Sequence, residues 1–454
     1  GLAPRARATT VSQPGDTSRF RMLRRWLRPG VGVKRWLLMM LVGLSILAAA
    51  GAMLIRFVFL EVPADSPLGQ IFGLISLNFL PDPLRGILVL TIGVAIFGYG
   101  LWRLLNVLLE PFPERREPLV ELVYQKRSLA RGPRVVALGG GTGQSTLLRG
   151  LKEVSSNITA VVTVADDGGS SGMLRNELGV PPVGDIRNCI SALADAEPAM
   201  GSLMQYRFPA SESDPGVSGH ALGNLLIAAM TDITGDFEEA VRETNKVLAV
   251  RGQVVPVAAE ALSLHAELAD GTELVGQSRI ASSRGIRRVW LSPAGVEASH
   301  EGVKAIREAE LVVLGPGSLY TSLLPSLLVP GIRAALEQTR ALRVYVANVA
   351  TQLGETEGYT LAEHVAALSA HGAGHLFDIV LANDDTTARV PEGYPAEPVR
   401  IDMPRSGDRP RLELAAVVDP ANAHRHDPRR LTQALLGLLD ERPAARPVAP
   451  VRTA

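Results

Sequence analysis

Hydrophobic positions divide the chain into an apolar N-terminal third and a longer segment in which strand and helix patterns alternate. Residues 37–55 and residues 86–102 contain no Asp, Glu, Lys or Arg. A membrane-spanning helix needs about 20 apolar residues, with about 17 as the lower limit, and it must be helical because lipid offers no backbone partners. The pattern therefore predicts an N-terminal hairpin of two transmembrane helices.

The charges that flank these two segments predict their orientation. Arginine and lysine are frequent before residue 37 and after residue 102, whereas residues 61–83 contain neither. Positive loops stay in the cytoplasm, so both ends of the hairpin are expected there, and the protein is predicted to be a multi-pass protein of the inner membrane. A cleaved signal peptide ending near Ala48–Ala50 is the alternative, and it leaves the C-terminal domain on the same side.

From residue 134 onward, short β-branched runs alternate with helical patterns. A strand over 134–138 is followed by glycines, a helix over 145–154 and a strand over 158–164, which is the beginning of a parallel α/β sheet. Further strands are predicted at 311–314, 344–347 and 379–381, and helices at 221–230 and 238–248.

One region departs from this alternation. Residues 262–268 and 273–280 alternate polar and apolar positions around Asp270-Gly271, a hairpin turn signal, and residues 286–291 add a third strand. The predicted fold is thus α/β, with a Rossmann-like, mostly parallel sheet and a small antiparallel insert behind the transmembrane hairpin. The predicted segments are a basic cytoplasmic segment (1–36), the hairpin (37–109), a linker (110–133), the α/β domain (134–441) and a disordered tail (442–454).

Composition excludes several classes of site. Lys+Arg and Asp+Glu both number 46, so no overall basic field attracts nucleic acid. Cys189 is the single cysteine, which excludes an internal disulfide and a cysteine-based zinc site.

A glycine loop follows the first predicted strand, with the sequence GGGTGQS over residues 139–145. Glycines let backbone approach a phosphate, and a helix N-terminus offers free N–H groups to the anion. No lysine follows, so this is not a P-loop, and Thr146 stands at the third glycine of the dinucleotide fingerprint. A tight turn used only for packing is the alternative. The candidate ligand-binding residues are Gly140, Gly141, Thr142 and Gly143.

A second loop, DDGGSSG over residues 166–172, follows the second strand. Its backbone and hydroxyl donors suit another phosphate, and its carboxylates suit a ribose hydroxyl or Mg²⁺. An acidic surface loop is the alternative. The candidates are Asp166, Asp167, Gly169, Ser170 and Ser171, with Asp166 and Asp167 also as candidate Mg²⁺ ligands.

Three further loops carry polar residues at helix starts or strand ends. Asp185 caps a predicted helix and Arg187 is suited to phosphate, while His220 is as well explained by a structural hydrogen bond as by a functional one. A third phosphate- or sugar-facing loop, GPGS, follows the strand at 311–314. The candidates in these loops are Asp185, Arg187, Asn188, Asn224, Gly315, Gly317 and Ser318.

Eight ordered runs resemble the YvcK-like gluconeogenesis factors, of the superfamily that includes 2-phospho-L-lactate transferase. They are GGGTGQS, TVADDGGSSG, GDIRNC, QYRF, GHALGNLL, ITGDF, GPGSLYTS and NVATQLGET, and they extend from about residue 134 to about residue 384. Met173, Gln144 and Val183 depart from the usual family residues, which are basic, Leu and Pro respectively.

The resemblance implies a nucleotide site built from the first two glycine loops. YvcK-like proteins bind UDP-sugars such as UDP-N-acetylglucosamine and support cell-wall supply and cell shape during gluconeogenic growth. It therefore implies regulation through a cell-wall synthesis partner, with self-association left open and no cofactor required except a candidate Mg²⁺. The alternative is a Mg²⁺-dependent transferase that moves a phosphate-linked group to an acceptor hydroxyl, with Asp185 as its base.

Overall fold

The computed structural model describes residues 126–441, apart from 196–197, 210–215, 389–390, 392, 394–395 and 405–409, together with isolated positions between 44 and 99. The predicted hairpin at 37–109 lies outside the described residues except for those positions, and the tail at 442–454 lies wholly outside them. The chain divides into two units, Gly1–Arg127 and Ser128–Ala454, and the second unit carries the α/β fold.

Among the described residues, no single helix is long and apolar enough to cross a membrane. One helix pair, Leu319–Leu328 with Pro330–Gln338, passes that test only when combined across a bend of 77°.

Twelve strands are assigned within the described part of the chain. Their bounds are β1 Val135–Gly139, β2 Ile158–Val162, β3 Gln253–Pro256, β4 Ser263–Leu268, β5 Glu273–Val275, β6 Ile286–Ser292, β7 Leu311–Leu314, β8 Leu342–Val346, β9 Ile379–Asn383, β10 Arg411–Ala415, β11 Val418–Asp419 and β12 Asn422–His426. A seven-stranded parallel sheet has the order β10-β9-β8-β7-β1-β2-β3, and two small antiparallel sheets have the orders β5-β4-β6 and β11-β12.

The helices connect and cover these strands. Their bounds are α1 Gly141–Leu151, α2 Gly169–Leu178, α3 Gly184–Leu193, α4 Pro198–Gln205, α5 Leu222–Thr234, α6 Phe237–Val247, α7 Gln277–Ala281, α8 His300–Glu308, a π-helix Leu319–Leu323, α9 Leu324–Leu328, α10 Pro330–Gln338, α11 Leu361–Ala370 and α12 Pro428–Asp440.

The central strands β1, β2 and β7 are buried along their whole length. Their sequences, VVALG, ITAVV and LVVL, are continuous apolar runs rather than alternating ones. Such runs are typical of parallel strands whose two faces are both covered by helices. The prediction of a mostly parallel α/β sheet with an antiparallel insert is therefore confirmed.

Two local predictions differ from the structure. The strand predicted over 273–280 is wrong after Val275, because Gly276 has a φ of 103° and the chain turns there into α7. Helix α1 begins at Gly141 instead of Ser145, so the glycine loop itself forms the first helical turn. Both differences bring backbone N–H groups to the carboxyl edge of the sheet.

The strand order predicts a crevice at that edge. From β1 the chain runs through β2 to β3 on one side, and β7 then begins a second series on the other side of β1. Ligands of open α/β sheets bind where the strand order reverses in this way, outside the carboxyl ends of the strands. Here that position lies between the loops that follow β1 and β7.

Candidate functional site

The loops after β1 and β7 meet in direct backbone contact. The N–H of Gly315 donates to the carbonyl of Leu138 at 2.9 Å. A Cβ on Gly143 would lie 2.6 Å from the carbonyl oxygen of Pro316, and a Cβ on Gly317 would lie 3.2 Å from the carbonyl oxygen of Gly140. Glycines at these positions therefore permit two predicted loops to form one continuous wall of the crevice.

The first loop places a helix N-terminus at the floor of the crevice. Gly141 has a φ of +68°, a conformation that favours glycine, and α1 starts there. Its own N-cap residue, Gly140, provides no side-chain cap, and the side chain of Thr142 is exposed in its first turn. The start of α1 can attract an anion, and the carboxylate of Asp185 already accepts its first N–H, that of Gly141.

The two carboxylates of the second loop point to different places. Asp166 accepts a hydrogen bond from the N–H of Gly168 at 2.9 Å, and burial, together with the neighbouring charge of Asp167, raises its pKa. Asp167 instead accepts a hydrogen bond from the N–H of Ser278 at 2.8 Å, at the start of α7. Asp167 therefore fastens the antiparallel insert to the site, while Asp166 remains beside α3.

Because the carboxylates of Asp166 and Asp167 point to different places, the loop does not present them to a metal ion as a pair. Within the described residues there is no group of three or more His, Cys, Asp and Glu side chains that could hold a metal. Magnesium prefers six oxygen ligands and usually keeps several waters beside one or two carboxylates and substrate phosphates. A Mg²⁺ ion at this loop would therefore depend on phosphate oxygens and water for most of its coordination.

Asp185 lies against the first loop. Its carboxylate approaches the Cα of Gly140 and accepts a hydrogen bond from the backbone N–H of Gly141. Burial, together with the charge of Asp166, raises the pKa of Asp185 to about 7. The sequence-predicted acid at the start of α3 is thus brought next to the glycine loop, with a proton affinity that is unusual for a carboxyl group.

We expect Asp185→Asn to stabilise the free protein by about 1–2 kcal/mol at pH 8 and by much less at pH 4. The ordinary pKa of 3.8 applies in the unfolded chain, so the folded protein alone keeps this proton between pH 4 and 7. The stabilising contribution is present below pH 4 and is lost as pH rises toward 7. The expected change in stability is smaller than the full pKa shift of Asp185 would give, because this residue is partly exposed to solvent. Urea unfolding of both proteins across this range measures the difference, and an unchanged or lowered stability at pH 8 contradicts it.

Both predicted serines connect parts of the site. The Ser170 hydroxyl accepts hydrogen bonds from the Asn224 side chain at 3.0 Å and the Ala221 N–H at 3.2 Å, and lies 3.2 Å from His220 Nδ1. The Ser171 hydroxyl accepts from the N–H of Gly184 at 3.0 Å. His220 is thus held by a hydrogen bond to Ser170, and the two serines join α2 to the starts of α5 and α3.

Arg187 provides positive charge behind these loops. It is 8% exposed, and burial, together with the neighbouring charge of Arg207, lowers its pKa. Its guanidinium donates to the side-chain oxygen of Asn188 at 2.9 Å. Arg187 and Asn188 are therefore brought together as predicted and form a charged group beside Asp166.

Unpaired polar atoms accumulate around the same loops. In the described part of the chain, eight buried side-chain nitrogen or oxygen atoms have no hydrogen-bond partner, and four of them surround the crevice. These four are Thr163 Oγ1, Asp185 Oδ2, Arg187 Nε and Asn224 Oδ1. Each such atom costs about 1–3 kcal/mol if nothing pairs with it, so their concentration around these loops is an unusual feature of the fold.

A segment after β8 supports the loop Gly315–Ser318. Asn348 exchanges two hydrogen bonds with the peptide groups of Gly317, at 3.0 and 3.3 Å, and Gln352 accepts from the Ser318 hydroxyl at 2.8 Å. Glu355 lies immediately behind them and is 1% exposed. Sequence reasoning missed Gln352 and Glu355 as site residues, although both stand in the run NVATQLGET, which follows a strand.

Gln144 and Cys189 belong to the core rather than to the site. Gln144 donates to the carbonyl of Ala137 at 2.8 Å, and the Cys189 thiol donates to the Gln144 side-chain oxygen at 3.4 Å. Gln144 stands where the family usually has leucine, and its polar side chain has buried hydrogen-bond partners in Ala137 and Cys189. Burial raises the pKa of the Cys189 thiol, which excludes this residue as a nucleophile.

A separate cavity of about 430 Å³ lies at the opposite, amino-terminal edge of the sheet, lined by residues that include Arg134, Asn157 and Gln253. It is remote from every loop of the crevice. None of the predicted site residues lines it.

Comparisons with known proteins show the family to which the chain belongs. The sequence model described as 2-phospho-L-lactate transferase CofD matches residues 135–417. A Bacillus subtilis protein named gluconeogenesis factor is 45% identical over 323 residues, which are 69% of this chain and 100% of the relative. Another protein of that name, from Halalkalibacterium halodurans, is 51% identical over 273 residues, or 59% of this chain and 84% of the relative.

A solved structure is also similar. The crystal structure of a Bacillus halodurans protein, described as a member of the UPF0052 family, has a TM-score of 0.62 and 44% identity, covering 67% of this chain and 99% of that one. Together with the family match over most of the α/β unit, these relatives settle the assignment. The chain belongs to the YvcK-like gluconeogenesis factor family, within the superfamily that includes 2-phospho-L-lactate transferase.

Proposed function

We propose that this protein binds a UDP-sugar, such as UDP-N-acetylglucosamine, in the crevice at the carboxyl ends of β1, β2 and β7. The observation that carries the proposal is the group of four buried, unpaired polar atoms around this crevice. A nucleotide-sugar has hydroxyl, amide and phosphate groups that can pair with both donors and acceptors. Because these atoms are covered by protein, a ligand would pair with them only after a local rearrangement, and that pairing would offset the cost of leaving them unpaired.

The diphosphate is proposed to lie at the starts of α1 and α2. Both helices start at a glycine with positive φ, Gly141 and Gly169, and neither has a side-chain cap from its own N-cap residue. At α1 the Asp185 carboxylate accepts from the N–H of Gly141, so the phosphate would use the N–H groups that follow it. Free N–H groups at such a start attract phosphate oxygens. Arg187 supplies a full positive charge nearby, and Mg²⁺ carried with the nucleotide would offset the carboxylates of Asp166 and Asp185.

We further propose that the bound state regulates cell-wall precursor supply and cell shape, especially during gluconeogenic growth. Support comes from the name of the Bacillus subtilis relative, gluconeogenesis factor, and from the absence of a usable thiol, since Cys189 is buried in the core. The proposal includes an N-terminal membrane hairpin at the inner membrane, a cytoplasmic α/β domain and a cell-wall synthesis partner. Self-association is compatible with it.

Calorimetric titration of the full-length protein with UDP-N-acetylglucosamine, with and without Mg²⁺, tests this function. Paired titrations with UDP-glucose and ADP-glucose, which differ only in the base, report whether the uracil is recognised. Saturable binding of the uridine ligand, followed by recovery of the unchanged ligand after long incubation, is expected of a regulatory binding protein. No heat at millimolar ligand contradicts binding. Conversion with an acceptor, lost in Asp185→Asn, would instead identify a transferase.

A further inference from the structure

The sequence predicts that the loop Gly315–Ser318 faces a phosphate or a sugar, because it follows a strand directly. The π-helix Leu319–Leu323 does begin directly after it. The N–H groups at that helix start are, however, already bonded within the protein.

Glu355 occupies this helix start. One carboxylate oxygen accepts a hydrogen bond from the N–H of Tyr320 at 3.2 Å, and the other accepts from the hydroxyl of Thr321. The N–H groups of Leu319 and Thr321 also donate to this carboxylate. The anion that this helix start attracts is therefore a side chain of the protein itself.

The surroundings make this carboxylate a fixed feature of the wall. Glu355 is 1% exposed, and the neighbouring Tyr320 and Tyr359 hydroxyls lie 3.1 Å apart, bonded to each other. Burial raises the pKa of Glu355 to about 7, in spite of the donors around it. A second anion cannot reach the same N–H groups without displacing the carboxyl group that already accepts from them.

Neighbouring side chains use the remaining polar groups of the loop. The peptide groups of Gly317 bond to Asn348, and the hydroxyl of Ser318 bonds to Gln352. Gly317 nevertheless stands against Gly140 in the first loop. The wall after β7 thus borders the site that begins at α1. The N–H groups of Gly315, Gly317 and Tyr320 in this wall are already bonded within the protein and are not available to an anion.

We propose that Glu355 is a positioning and specificity residue, which makes the wall after β7 a surface for the uncharged part of the ligand and confines phosphate to the starts of α1 and α2. The proposal rests on the proposed function, because it names the part of the same ligand that each wall receives. Glu355 acts through the loop Gly315–Ser318 and the π-helix, without touching the ligand.

The test compares Glu355→Gln with the wild-type full-length protein, using calorimetry with UDP-N-acetylglucosamine and with inorganic pyrophosphate. We expect the affinity for the UDP-sugar to fall roughly tenfold, because the loop loses its charged acceptor, while the pyrophosphate affinity stays the same or rises. Glu357→Gln is the matched control, since Glu357 is exposed and pairs only with Arg284 at the surface, at 2.8 Å. It should change neither affinity.

A merely structural role would lower both affinities together, and that result, or an unchanged UDP-sugar affinity, overturns the proposal. If Glu355→Gln does not fold, Thr321→Val removes one donor to the same carboxylate and should produce a smaller loss with the same selectivity. A wild-type protein that binds pyrophosphate but no UDP-sugar contradicts the proposed function. In that case, only a higher pyrophosphate affinity in Glu355→Gln supports the exclusion of anions from this wall, and an equal or lower one overturns the role of Glu355.

Discussion

Gly143→Ala is expected to lower the free energy of unfolding by about 2–4 kcal/mol and to abolish ligand binding in the crevice. The added methyl group would lie 2.6 Å from the carbonyl oxygen of Pro316 and 3.0 Å from the nitrogen of Gly317. Both are backbone atoms of a loop that Asn348 holds by two hydrogen bonds, so they cannot move aside as a flexible side chain would. The loops after β1 and β7 must separate instead.

Gly437→Ala provides the matched control for this substitution. Gly437 also lies inside a helix, α12, but it is exposed and has no atom within 4 Å of the position of a new Cβ. Because alanine is the better helix former, this variant should gain about 0.5–1 kcal/mol. Chemical unfolding measures the stability of both variants, and calorimetry measures their ligand binding. Equal stabilities, or full ligand binding by Gly143→Ala, would contradict the contact between the two loops.

Ser170→Ala is expected to lower the free energy of unfolding by about 2–3 kcal/mol, although only one oxygen atom is removed. That oxygen accepts from Asn224 and from the N–H of Ala221, and it also bonds to His220. Ser170 and His220 are both 2% exposed, so water cannot easily replace the lost partner. The loss is the cost of leaving buried polar groups unpaired rather than the value of three separate bonds.

The control for Ser170→Ala is Ser369→Ala. The hydroxyl of Ser369, which is exposed, bonds to the carbonyl of Val365 in the same helix, so its removal should change stability by less than about 0.5 kcal/mol. Thermal and urea unfolding of both variants provide the comparison. A loss below 1 kcal/mol in Ser170→Ala would show that the connection between α2 and α5 contributes little to stability.

The sequence predicts the sheet well because its central strands are buried on both faces. Continuous runs such as VVALG and LVVL leave few other interpretations, and strand β7 lies over the predicted residues 311–314. The edge strand β3 has no such pattern, since its four residues include Gln253 and Pro256, and it was not predicted. Position in the sheet, rather than local propensity, makes it a strand.

The functional loops were predicted, but the partners of their side chains were not. Adjacent acids such as Asp166 and Asp167 look equivalent in sequence, yet Asp167 bonds to Ser278 across the fold. Glu355 likewise reaches Tyr320 and Thr321 only because β7 and β8 are neighbours in the sheet. Contacts of this kind depend on strand order, which local motifs do not specify.

The central claim is that the crevice at the carboxyl ends of β1, β2 and β7 is the nucleotide-sugar site. Hydrogen–deuterium exchange of the full-length protein, with and without saturating UDP-N-acetylglucosamine, tests it most directly. We predict slower exchange in residues 139–145, 166–172 and 184–188, and unchanged exchange at the amino-terminal edge around Asn157 and Gln253. Protection confined to that amino-terminal edge, where the 430 Å³ cavity lies, would contradict the account.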